Sequence, residues 1–254
     1  MLEPEPAELP EPAERAGPVE RAGPVGYPIP QDARRLSVPA ARLPKWLDGF
    51  ADRHGSLRTW LVPDPALGQG SPEQDGSPER VVISAADGST VWIEVPFRPW
   101  QPEASRPLTS LQLHLNQPRR IGVLLVRRGG YAAGVFDGSE LVSSKVGSAY
   151  VQGTTKAGGW SQQRFARRRA NQARHAFGEA AEVAVRILLP EANRLAALIC
   201  GGDRAAVEAA LSDPRLAPLL PLRSPPFLAV PDPRLKVLQA TPEQFLAVSL
   251  AIHP

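Results

Sequence analysis

The sequence predicts a mixed α/β fold, a mixed sheet with helices preceded by a disordered Pro/Glu-rich tail, on three observations. Apolar runs of strand length occupy residues 81–85, 90–95, 121–126 and 131–136, separated by Asp-Gly and Gly-Gly turn pairs. Residues 162–189 contain no Pro and only Gly178 among glycines, and Phe165, Ala173, Ala176, Phe177, Ala180, Val183, Ala184 and Ile187 recur at helical spacing. Beyond Pro190, helical and strand-like stretches alternate, the pattern of a sheet joined by crossover helices.

The tail comes first. Residues 1–30 are rich in Pro, Glu and Ala, repeat Glu14-Arg15-Ala16-Gly17-Pro18-Val19 as Glu20-Arg21-Ala22-Gly23-Pro24-Val25, and offer little apolar surface to bury. A tether is the functional reading, but composition alone favours a merely variable tail. A smaller N-terminal region is expected over 31–118. In it Leu43, Trp46, Leu47 and Phe50 fall on one face of a short amphipathic helix. The Gly-, Ser- and Pro-rich stretch 65–78 reads as a loop, and Asp87-Gly88 closes a hairpin between 81–85 and 90–95.

The second region, 119–254, opens with strands at 121–126 and 131–136, which should pair antiparallel across Arg128-Gly129-Gly130. Asp137-Gly138 turns the chain into extended segments 141–146 and 149–152, and these lead to a glycine-rich loop and the long helix. After it come 195–200 with Gly201-Gly202, a helix over 204–211, a strand near 227–230 and a last helix near 242–251.

Composition excludes more than it selects. In 254 residues there is one cysteine, Cys200, so neither an internal disulfide nor a multi-cysteine zinc site is possible. His54, His114, His175 and His253 are too widely spaced for a local metal motif, and we expect no metal and no cofactor. Phosphate-binding P-loop, Gly-x-Ser-x-Gly and His-Glu-x-x-His motifs do not occur. Met1-Leu2-Glu3-Pro4-Glu5-Pro6 lacks the features of a signal peptide and no run nears about eighteen apolar residues, so the expected location is cytoplasmic with no membrane partner.

The most informative segment is Lys156-Ala157-Gly158-Gly159-Trp160-Ser161-Gln162-Gln163-Arg164. Gly158 and Gly159 permit close approach to a ligand and leave backbone N–H groups available. Trp160 can stack on a base, a contact of about 1–3 kcal/mol. Gln162 and Gln163 each carry a carbonyl and an NH2 with which to orient water or a ribose hydroxyl. The plain alternative makes the glycines a turn, Trp160 a hydrophobic staple and Ser161 a helix cap. Local pattern alone favours this plain alternative.

Charge separates them. Lys156, Arg164, Arg167, Arg168, Arg169 and Arg174 give residues 156–175 a charge of +6 with no Asp or Glu, against +3 for the whole chain. Solvated helix faces usually mix signs, whereas arginine forks suit phosphate, so RNA contact is favoured, with Asn171 and Gln172 adding polar contacts. Cys200 beside two glycines could serve as a nucleophile at a strand end, but the favoured reading is a small buried apolar residue. Asp137, Glu140 and Asp203 are accounted for as turn residues.

Residues 146–153, 158–164 and 167–174 together resemble the Vms-like peptidyl-tRNA hydrolases, in particular their actinobacterial branch, relatives of the central domain of eukaryotic and archaeal release factors. The resemblance extends over 120–250. It implies a release-factor central-domain-like fold and hydrolysis of peptidyl-tRNA on the large ribosomal subunit, releasing stalled nascent chains as in ribosome quality control. In release factors a Gly-Gly-Gln loop helps orient the attacking water. Here Trp160 and Ser161 stand between the glycines and Gln162, and Gln162 is assigned the catalytic role, with Gly158 and Gly159 giving access and Gln163 in reserve. The competing function is a non-catalytic ribosome- or RNA-binding protein using the same loop and basic helix.

Overall fold

The computed structural model describes residues 28–62, 80–97, 99–148 and 177–254, which build two five-stranded sheets with helices. The first sheet contains β1 (Arg34–Pro39), β2 (Leu57–Val62), β3 (Arg80–Ala85), β4 (Thr90–Glu94) and, from the far end of the chain, β10 (Ala247–His253). Its order is β1-β10-β4-β3-β2 and every pairing is antiparallel. Two helices lie against one face. In α1 (Leu43–His54) Pro44 occupies the first turn, where its missing N–H costs nothing. Leu43, Leu47 and Phe50 of α1 and Leu111 of α2 (Pro107–Leu115) meet Val81, Ile83, Val91, Ile93, Val248 and Leu250 of the sheet. The β3–β4 turn falls at Asp87-Gly88, as the sequence indicates: Gly88 has φ +94° and the Asp87 carboxylate accepts the Ser89 N–H at 2.9 Å.

One expectation is overturned in this sheet. A helix near 242–251 was expected, but the helix α6 (Pro242–Phe245) stops after one turn and β10 follows. Val248 and Leu250 alternate with Ser249 and point into the core, and β10 pairs with β1 on one side and β4 on the other. Two flanking ladders outweigh the helical preference of a short apolar stretch, whose periodicity is ambiguous at that length.

The second sheet has the order β7-β6-β5-β8-β9. It comprises β5 (Arg120–Arg127), β6 (Gly130–Asp137), β7 (Glu140–Ser148), β8 (Ala197–Gly202) and β9 (Arg223–Leu228). The expected antiparallel pairing of β5 with β6 is present, from Arg120↔Asp137 to Arg127↔Gly130. β5, β8 and β9 run parallel. Helix α3, described over 177–187, precedes β8, and α4 (Arg204–Leu211) joins β8 towards β9. The last strand spans Arg223–Leu228 rather than 227–230, and its Pro225 and Pro226 sit on an edge, where no ladder donor is lost.

Both faces of this sheet are covered, which is why β5 reads as an uninterrupted apolar run. Leu124, Val126, Ala133, Val135, Leu198 and Cys200 face Ala180, Ala184, Ala206, Val207 and Ala210 of α3 and α4. On the other face Ile121, Val123, Leu125, Phe136 and Ile199 meet Leu238 of α5 (Leu235–Gln239) and Phe245 of α6. Among the described residues no helix is long and apolar enough to cross a membrane.

Candidate functional site

The carboxyl ends of β5 and β8 lie at one end of the second sheet, and β7 ends there too, since it runs antiparallel to β6 as β5 does. Ligands of open α/β sheets bind outside such ends. This end also receives the two described residues that bracket 149–176, namely Ser148 of β7 and Phe177 of α3.

Tyr131, the second residue of β6, joins both. In register it faces Gly147 on β7, and its ring covers Gly147 so closely that a Cβ there would overlap the ring. Its hydroxyl donates to Glu179 Oε2 at 3.3 Å, on α3. Burial raises the Tyr131 pKa, and the Glu179 carboxylate adds to the effect, so the phenol keeps its proton and remains a donor. Phe177 packs on the same core as Tyr131. The root on the β7 side and the root on the α3 side are thus held by one side chain.

Around this root three further segments converge. Gly202 ends β8 at φ +101°, and a side chain there would strike the Val126 carbonyl, so glycine is required on both counts. The chain then enters α4 with Asp203 as N-cap: its N–H donates to Val126 O at 2.8 Å while its carboxylate accepts the Ala205 and Ala206 N–H groups at 3.0 and 3.3 Å. From the far side, Arg127 donates to Val230 O at 2.7 Å and lies 3.5 Å from Asp232, against which Gly129 packs.

The residues singled out in the sequence, Lys156, Gly158, Gly159, Trp160, Gln162, Gln163, Arg164, Arg167, Arg168, Arg169, Asn171, Gln172 and Arg174, lie outside the described residues, as does His175. The described structure gives the frame from which they depart. Sequence reasoning missed Tyr131 and Glu179. The signal was present in Gly147, a glycine inside a strand, which often marks a close approach by another group.

Cys200 resolves to the bland alternative. It is buried on β8 among the residues facing α3 and α4, and burial pushes its thiol up to about 11, away from nucleophilic reactivity. Asp137 pairs with Arg120 at 2.7 Å across the β5–β6 ladder, and Asp203 caps α4. Among the described residues no group of three or more His, Cys, Asp or Glu side chains is placed to hold a metal ion.

Among curated proteins no relative matches this chain. Among solved structures, an archaeal translation termination factor, aRF1, aligns with 16% identity and a TM-score of 0.37 over 67% of this chain and 51% of that one. A second structure, described only as an archaeal protein, aligns with 17% identity and a TM-score of 0.34 over 61% of this chain and 47% of that one. The chain therefore spans about half the length of these two structures. The model of the Actinobacteria/chloroflexi VLRF1 release factor family matches residues 119–251, more than half of the 254 residues. The chain belongs to the Actinobacteria/chloroflexi VLRF1 release factor family.

Proposed function

We propose that this protein hydrolyses the ester bond of peptidyl-tRNA on the large ribosomal subunit and so frees stalled nascent chains. The observation that carries the reading is the placement of the segment bearing Gly158-Gly159-Trp160-Ser161-Gln162-Gln163 and its acid-free arginine run. In sequence it lies between Ser148 of β7 and Phe177 of α3 in a chain of the release factor family, and Tyr131 ties that strand to that helix.

No side chain from Lys156 to Arg164 is a good general base at neutral pH. Catalysis then rests on positioning. The Gln162 amide orients the attacking water, Gly158 and Gly159 let the backbone approach the ester, and donors fixed in advance stabilise the developing oxyanion. Trp160 stacks on a base while Lys156, Arg164, Arg167, Arg168, Arg169 and Arg174 hold RNA phosphates, with Asn171 and Gln172 as polar supports. Ribosomal RNA completes the site, and the reaction as proposed uses no cofactor.

The test is peptidyl-tRNA hydrolysis on isolated large subunits by wild type, Gln162→Ala and Gln163→Ala. The reading expects release by wild type and by Gln163→Ala but not by Gln162→Ala, with all three bound. Binding by wild type without release would leave a non-catalytic RNA-binding protein. Activity that needs no ribosome and is insensitive to salt would point to a small-molecule enzyme, since phosphate contacts weaken steeply with salt.

A further inference from the structure

The pairing of arginines in the second sheet is uneven. At the amino end of β5, Arg120 is held by Asp137 at 2.7 Å and Glu191 at 2.8 Å. On the α3–α4 flank Arg215 is held by Glu182 at 2.5 Å and Asp213 at 2.7 Å, and Arg223 by Glu208 at 2.5 Å. Each of these positive charges is matched where it stands.

At the carboxyl end Arg127 pairs with Asp232 at 3.5 Å, but four further cations are left unmatched among the described residues. Arg128 sits at the β5–β6 turn, Arg204 opens α4, and Arg234 and Lys236 flank the start of α5, all of them exposed. None is in an ion pair with a described residue. The nearby acids are already engaged, Asp203 with the backbone N–H groups of α4 and Asp232 with Arg127. Packing brings these segments together, since Val126–Gly129 touches Gly202–Asp203 on one side and Val230–Asp232 on the other. Arg204 is further fixed by lying 4.2 Å from the Phe227 ring centroid, which leaves an oriented planar guanidinium at the rim.

We infer that this rim, formed by Arg128, Arg204, Arg234 and Lys236, is a second RNA-binding surface that grips the phosphodiester backbone of ribosomal RNA beside the root of 149–176. Unmatched cations on rigid, adjacent elements form an electrostatic footprint for a polyanion, and forked guanidinium groups match phosphate. RNA is favoured over an acidic protein because the rim borders the roots, Ser148 and Phe177, of the segment holding +6 without an acid. The surface rests on the reading of the ribosome as partner but not on the catalytic role of Gln162.

The experiment measures binding of the full chain to isolated large ribosomal subunits carrying peptidyl-tRNA, across a salt series, with single-turnover release read in parallel. Arg128→Ala, Arg234→Ala and Lys236→Ala are combined, leaving the stacked Arg204 in place. A control combines Arg34→Ala, Arg42→Ala and Lys45→Ala, three exposed cations of the first sheet region, for the same loss of charge. The rim variant is expected to bind about tenfold or more weakly near physiological salt. Its log–log salt slope should fall by about 2–3, while its release rate at saturation matches wild type and the control keeps wild-type binding. A rim variant with unchanged affinity and slope overturns the inference, as does a control that weakens equally. Normal binding by wild type without release would overturn the catalytic reading and leave the rim standing.

Discussion

The ring of Tyr131 lies across the backbone of Gly147, and the hydroxyl of the same residue donates to Glu179, 48 residues away in sequence. An aromatic side chain covering a cross-strand glycine is a common device for sealing a weak point in a sheet. Here it also ties the end of β7 to the described part of α3.

Gly147→Ala should therefore displace the Tyr131 ring and cost about 1–3 kcal/mol, in the range of overpacked sites. Tyr131→Phe keeps the ring over Gly147 and removes only the hydroxyl, a loss of about 1 kcal/mol. Denaturant unfolding orders the two, with Gly147→Ala the more destabilised, and peptide release should fall in the same order. A Gly147→Ala protein as stable as wild type would show that the ring does not occupy that space.

The connection between the sheets carries a pH dependence. His114 is buried, its Nε2 donates to Pro96 O at 2.8 Å, and its Nδ1 accepts from the Arg119 guanidinium at 3.1 Å. Burial lowers its pKa below the model-peptide value of 6.5, and the Arg119 charge lowers it further. The folded state thus holds His114 neutral while the unfolded chain takes up a proton below 6.5. Its contribution is complete above that pH and is lost as pH falls towards the lowered folded value. Wild type should lose stability between about pH 7.5 and 5.5 relative to His114→Gln, whose chain has no proton to gain there. Parallel stability–pH curves for the two proteins would contradict this account.

The last strand offers a sharper test of the first sheet. Leu250 is 1% exposed on β10, between β1 and β4 and within the core that α1 covers. Leu250→Ala should cost about 2–5 kcal/mol, the usual range for a buried leucine. Thermal unfolding reads it. A near-neutral effect would mean that the chain end does not sit inside the sheet.

Most of the second sheet was legible, because β5 and β6 are apolar on both faces and their Arg128-Gly129 turn is short. The same logic failed at 242–251. A stretch such as Phe245-Leu246-Ala247-Val248 satisfies helix and strand alike, and only its partners β1 and β4, about 150–220 residues earlier, decide between them. The family match covers 119–251 and so includes most of a strand whose two partners lie before it. At the site, charge and glycine pattern marked 156–174, but nothing local marked Tyr131, since its role depends on a register between strands and a helix distant in sequence. Likewise Arg128, Arg204 and Arg234 are ordinary loop and cap arginines until the fold brings them to one rim.

The central claim is that Gln162 positions the water that cleaves peptidyl-tRNA. Its most direct test is the single-turnover rate of peptide release from saturated large ribosomal subunits by wild type and Gln162→Ala. Removing one well-placed polar group of this kind should slow release by about 10²–10³, with binding of the subunit unchanged. Equal rates for the two proteins would contradict the account.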